Sequence, residues 1–126
     1  MRTAHDLVME AKKHVAEISI EEAQKLLCSD TLIVDVREPF EYEEGHVPGA
    51  INIPRGMLEF KMTQDEVLID RNRPILLYCK TSGRAALSAV ALKSLGYDHV
   101  RSIAGGFDSW SAATMPTDKP GALSFE

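Results

Sequence analysis

The sequence predicts an α/β fold with a mostly parallel sheet, and three observations carry that expectation. Short apolar runs alternate with segments of helical spacing along most of the 126 residues. Two of those runs, Leu32-Ile33-Val34 and Ile75-Leu76-Leu77-Tyr78, are apolar at consecutive positions, as strands covered on both faces are. Three capping signatures, Thr3 to Asp6, Ser19 to Glu22 and Thr63 to Glu66, mark helix starts between the runs.

In order, Leu7, Val8, Ala11 and Val15 recur at helical spacing after Thr3, which predicts a helix over residues 4–15. His5 and His14 fall on its wet side, with no spacing that would bind a metal. Glu17-Ile18-Ser19 reads as the turn into the domain. Ala23, Leu26 and Leu27 stripe a helix over residues 20–27, and Cys28 at its end reads as packing. Residues 31–37 form a central strand. Pro39 opens a short acidic helix reaching Glu44.

A Gly- and Pro-rich connector, Gly45 to Ala50, leads to a strand over residues 51–54 that Pro54 stops. Met57, Leu58 and Phe60 read as a packed short helix, and the Thr63 signature starts another over residues 64–69, with Val67 and Leu68 inward. After a polar loop comes the strand Ile75–Tyr78, then a tight turn, then a helix over residues 85–95 that Gly96 ends. A last strand spans residues 100–103. Gly105 and Gly106 precede a helix in which Phe107 and Trp110 share a face, Trp110 in the core. The expected domain therefore covers residues 17–113, with a helical extension over 1–16 and an irregular tail over 114–126.

Composition narrows the function. Apolar residues make up 44% and charged residues 26%, ordinary for a globular chain able to bury one core. The net charge of −5 argues against a nucleic-acid binder or a binder of anionic membranes, since both need a basic surface. The N-terminal residues lack the apolar core of a secretion signal, so a cytoplasmic location is expected, with Cys28 and Cys79 unpaired.

The turn Cys79-Lys80-Thr81-Ser82-Gly83-Arg84 carries the chemistry. A cysteine delivered by a strand to the mouth of a helix meets free amide N–H groups whose partial positive charge favours an anion. Lys80 and Arg84 are expected to add full charges beside it. The thiolate so favoured is a nucleophile. Arg55, just past a strand end, is a candidate second contact for an anionic substrate. Asp35 and Arg37 read as loop-orienting ion pairs, and His46 as a residue that holds the connector.

Strand, Cys79, loop, Arg84 and helix together resemble the active-site loop of the rhodanese sulfurtransferases. Asp35-Val36-Arg37-Glu38, Gly45-His46-Val47-Pro48-Gly49-Ala50 and the Gly105-Gly106 to Trp110 ending are similar to the family's other signatures. The resemblance covers roughly residues 17–112, and the loop departs from many members in carrying its glycine late, as Gly83. It implies a rhodanese-like three-layer sandwich with a five-stranded sheet flanked by helices. It also implies a single-domain thiosulfate sulfurtransferase that needs neither metal nor cofactor. Cys79 would attack the outer sulfur of thiosulfate or another persulfide donor and pass it to cyanide or a thiol. Lys80, Thr81, Ser82, Gly83 and Arg84 would bind the donor. A protein partner receiving persulfide, in a monomer or homodimer, fits the same chemistry. So does a carrier that hands persulfide to a partner enzyme, whereas a binding module that keeps the fold without turnover would usually lack the cysteine that this chain retains. A cysteine phosphatase or arsenate reductase is the further alternative, but four residues separate Cys79 from Arg84, one fewer than in the phosphatase loop.

Overall fold

The computed structural model describes residues 1–120; of the tail, residues 121–126 lie outside the described residues. Among the described residues the strands β1 (Ala16–Ile18), β2 (Leu32–Asp35), β3 (Ile51–Asn52), β4 (Ile75–Tyr78) and β5 (Val100–Ile103) form one sheet. Its order is β1-β5-β4-β2-β3, and every pairing is parallel. The helices are α1 (Ala4–Lys12), α2 (Ile20–Lys25), α3 (Pro39–Glu44), α4 (Leu58–Gln64), α5 (Gly83–Ser94) and α6 (Gly106–Ala112). No helix among the described residues is long and apolar enough to cross a membrane.

Strand alternation sorts the side chains into two cores. Ile75 and Leu77 pack with Leu58 and Met62 of α4 and Ala89 and Leu92 of α5. Leu76 and Tyr78 face the other way, toward Ala23 of α2 and Trp110 of α6. Continuing the alternation, Cys79 falls on the α5 face. The small residues Ala85, Ala86 and Ala89 let α5 lie close on the sheet, and all three are buried. Helix α1 forms an outer layer against α5.

The strand order reverses between β2 and β4. The chain leaves β2 into α3 on one face and leaves the adjacent β4 into α5 on the other. The two exits diverge, and a crevice opens at the carboxyl ends of these strands. Cys79 follows directly from β4 at that crevice.

Several local expectations shift. The Thr3 and Ser19 capping boxes form as read. Glu17 and Ile18, expected in a turn, belong instead to β1, an edge strand of three residues paired to β5. It is too short to show an apolar pattern, and its pairing partner lies far along the chain. Helix α1 ends at Lys12 rather than Val15. The Thr63 signature does not start a helix: Thr63 lies inside α4, its hydroxyl donating to the Glu59 carbonyl at 2.7 Å. Leu58 and Leu68 are buried as expected, whereas Met57, Phe60 and Val67 are exposed. Cys28 is exposed too, because α2 tightens into a 3₁₀ turn over Leu26–Cys28 and rotates it off the buried stripe.

The extension and the described part of the tail, residues 114–120, are both tied down. Lys93 Nζ of α5 donates to the His14 carbonyl at 2.9 Å. His46 exchanges backbone hydrogen bonds with Asp118, both at 2.9 Å, and its ring stacks on Tyr42 with centroids 3.7 Å apart. Trp110 Nε1 donates to the Pro116 carbonyl at 2.7 Å.

Candidate active site

Cys79 is 1% exposed, and its Sγ accepts a hydrogen bond from the Ala85 N–H in the first turn of α5 at 3.3 Å. The loop that follows is held from its other side by α6. Cys79 O accepts from the Phe107 N–H at 2.8 Å, and Lys80 O accepts from the Asp108 N–H at 3.0 Å. A trans peptide points its C=O and N–H in opposite directions, so the N–H groups of Lys80 and Thr81 turn away from α6. Among the described residues, no protein acceptor takes the N–H of Lys80, Thr81, Ser82, Gly83 or Arg84. A run of uncommitted donors therefore lies between the cysteine and the first turn of α5, where the helix dipole adds to their charge.

That close docking needs Gly106. Its φ is +63°, and a Cβ there would overlap the Thr81 carbonyl and approach the Cys79 and Lys80 carbonyls to 2.6 and 2.8 Å. The Gly-Gly step before α6 thus brings a second helix N-terminus against the cysteine loop.

The loop cations are arranged differently from the expectation. Arg84 grips Glu41 of α3 with two bonds, Nη1–Oε1 at 2.8 Å and Nη2–Oε2 at 3.2 Å. Each partner stabilises the other's charge. The hydrogen bond from Arg84 pulls the Glu41 carboxyl below its usual range, and the Glu41 bond raises the Arg84 guanidinium, with Cys79 adding to it. Lys80 Nζ binds both Asp108 oxygens of α6, at 3.0 and 2.9 Å. Both cations stand beside the loop, yet each already faces a carboxylate. The sequence reading missed Glu41 and Asp108. Each looked like a solvated residue of its own helix, and nothing in spacing links Glu41 to Arg84 forty-three positions away.

Behind the loop, Arg37 is buried with Asp35. Its Nη2 lies 2.7 Å from Asp35 Oδ2 and 2.7 Å from the Gly45 carbonyl, which ties the connector to β2. Burial opposes the Arg37 charge, but Asp35 outweighs it and the guanidinium is held above its ordinary value. The same group lies over the Phe107 ring at 4.3 Å. Between these elements opens a cleft of about 310 Å³, lined among others by Arg37, Phe40, Glu44, Lys80, Phe107 and Asp108. Arg55 is not among its lining residues. It pairs with Glu59 at 2.8 Å and faces the groove between α1 and α5.

The family model described as the rhodanese-like domain matches residues 19–113. An uncharacterised protein of Bacillus subtilis, YqhL, is 40% identical over 78 residues; the match spans 62% of this chain and 59% of that protein. A protein of Allochromatium vinosum named a sulfurtransferase is 29% identical over 108 residues, covering 84% of this chain and 97% of that protein. Among solved structures, a Rhodopseudomonas palustris protein of unknown function, named a possible tyrosine phosphatase, superposes with a TM-score of 0.87 at 30% identity. That superposition covers 94% of this chain and 96% of the other.

Proposed function

This chain belongs to the rhodanese-like domain family, and from that premise we propose that it is a sulfurtransferase. It moves sulfane sulfur on Cys79 from thiosulfate or a persulfide to a thiophilic acceptor such as cyanide or a thiol. The observation that carries this reading is the Cys79 Sγ held by the Ala85 N–H beside a run of uncommitted amides. Such a setting offers hydrogen-bond donors to the negative charge of a persulfide once it forms on Cys79. The similarity to a protein named a sulfurtransferase over nearly its whole length supports the same chemistry.

In the first step the Cys79 thiolate forms a bond to the outer sulfur of thiosulfate. The S–S bond of the donor breaks, and sulfite departs with that bond's electron pair. A hydropersulfide donor reacts alike and releases its thiolate. In the second step cyanide or a thiolate attacks the terminal sulfur of the Cys79 persulfide, and the original thiolate returns. Cys79 lies almost wholly beneath its loop, and the adjoining cleft beside Lys80 and Phe107, which Cys79 itself does not line, is the route we assign to the donor. A carrier that hands persulfide to a partner enzyme would use the same first step.

The name of the Rhodopseudomonas palustris relative raises phosphatase chemistry. The short loop and the engagement of Arg84 by Glu41 both weigh against it, since a phosphoryl group would need that guanidinium. Mass spectrometry decides. After treatment with thiosulfate or a hydropersulfide, the peptide containing Cys79 is expected to gain one sulfur, with no hydrolysis of an aryl phosphate. Unmodified Cys79 together with phosphate release would overturn the reading.

A further inference from the structure

Charge around the loop is matched and then exceeded by carboxylates. Lys80 faces Asp108, Arg84 faces Glu41, and Arg37 faces Asp35. Glu44 lines the same cleft, and no described cation pairs with it. Of the charged residues that line the cleft, the carboxylates Glu41, Glu44 and Asp108 outnumber the cations Arg37 and Lys80 by one, and the wall also includes the apolar rings of Phe40 and Phe107. A small dianion entering here meets, among the described residues, no lining cation without a carboxylate partner, and it approaches through a net negative mouth.

We propose that Glu41 and Asp108 determine donor specificity. By neutralising Arg84 and Lys80, they turn the site from thiosulfate toward hydropersulfides of low charge. This rests on the sulfurtransferase reading and adds the donor class to it. The two carboxylates act by unequal means. Glu41 holds Arg84 in a bidentate, half-buried geometry, so the guanidinium is sterically committed. The Lys80–Asp108 pair is exposed and weak as a structural bond, so Asp108 acts through its charge. Specificity of this kind is a difference between two rates, and a repulsive element lowers one of them.

The reaction with a hydropersulfide balances without an external oxidant or reductant. The Cys79 thiolate bonds to the outer sulfur of R–S–SH, the donor S–S bond breaks, and R–S⁻ leaves with the electron pair. The proton stays on the transferred sulfur and passes to solvent as the persulfide ionises.

The test compares second-order rate constants for loading Cys79, read by mass spectrometry, in the full chain and in Asp108→Asn and Glu41→Gln. The donors are thiosulfate and the hydropersulfide of 2-mercaptoethanol, whose body is uncharged. Removing one negative charge roughly 10 Å from a dianion predicts about a fivefold gain in the thiosulfate constant for Asp108→Asn at low salt, shrinking as salt is added. The hydropersulfide constant is expected to stay within about twofold, since the donor body carries no charge. Glu41→Gln is expected to move the ratio the same way by releasing Arg84; Asp108→Asn, at an exposed position, keeps the test valid if Glu41→Gln folds poorly. Loading of Cys79 with an unchanged ratio of the two constants in Asp108→Asn overturns this inference alone. Failure of both donors to load Cys79 in every form of the protein overturns the sulfurtransferase reading and this inference with it.

Discussion

Arg84 and Glu41 are joined by two hydrogen bonds that cross from α5 to α3 over the carboxyl end of the sheet. The pair fastens the end of the cysteine loop to the helix after β2, so it ties together the two walls of the crevice. Because the folded-state carboxyl of Glu41 is lowered from 4.5, the sign of its pH effect is set. The pair's stabilising contribution is present above pH about 4.5 and is lost as pH falls through the depressed folded value. Thermal unfolding between pH 3 and 7 is expected to show a smaller acid loss of Tm in Glu41→Gln than in the parent. Parallel curves would show that this carboxylate is not the linked group.

Cys79 is expected to be the sole sulfur carrier. Cys79→Ser should reduce sulfur transfer to the uncatalysed background while far-ultraviolet circular dichroism and Tm stay close to the parent. Cys28→Ser, at an exposed position, should change neither activity nor stability, with any stability change inside about 0.5 kcal/mol. Loss of transfer in the Cys28 variant would reveal a second sulfur relay away from the Cys79 loop.

Gly106→Ala should damage the site from outside it. The added methyl meets the loop carbonyls and the residue is strained at φ +63°, so the variant is expected to lose about 1–3 kcal/mol in denaturant unfolding. Loading of Cys79 should fall further than global stability explains, because the loop amides shift with their carbonyls. A stable variant with parental loading rates would mean that the docking of α6 does not set the position of those amides.

Asp35 and Arg37 form a buried pair, with both side chains almost fully enclosed. Asp35→Asn leaves Arg37 charged and poorly matched in the interior, which typically costs about 3–5 kcal/mol. Chemical denaturation is expected to show that loss, with freed motion of the Gly45 connector seen as faster amide exchange at His46. A loss below about 1 kcal/mol would mean that Arg37 has found water or another acceptor.

Much of this protein was legible in its sequence. The apolar runs at β2 and β4 are continuous, short and rich in branched residues, which reads as covered strands. Thr3 and Ser19 cap their helices through partners three residues away. Cys79, Gly83 and Arg84 sit so close together that the strand, turn and helix around them leave little freedom. These are local facts, governed by backbone periodicity and hydrogen bonds of short reach. Tertiary structure decided what local pattern does not encode. Strand β1 exists because β5 offers it an edge, and the Thr63 signature fails because α4 has already absorbed it. Cys28 turns outward on a 3₁₀ twist. Above all, the charges beside Cys79 depend on α3 and α6 bringing Glu41 and Asp108 to the loop. Coulomb interaction acts through space, and the folded chain alone sets which carboxylate stands next to which cation.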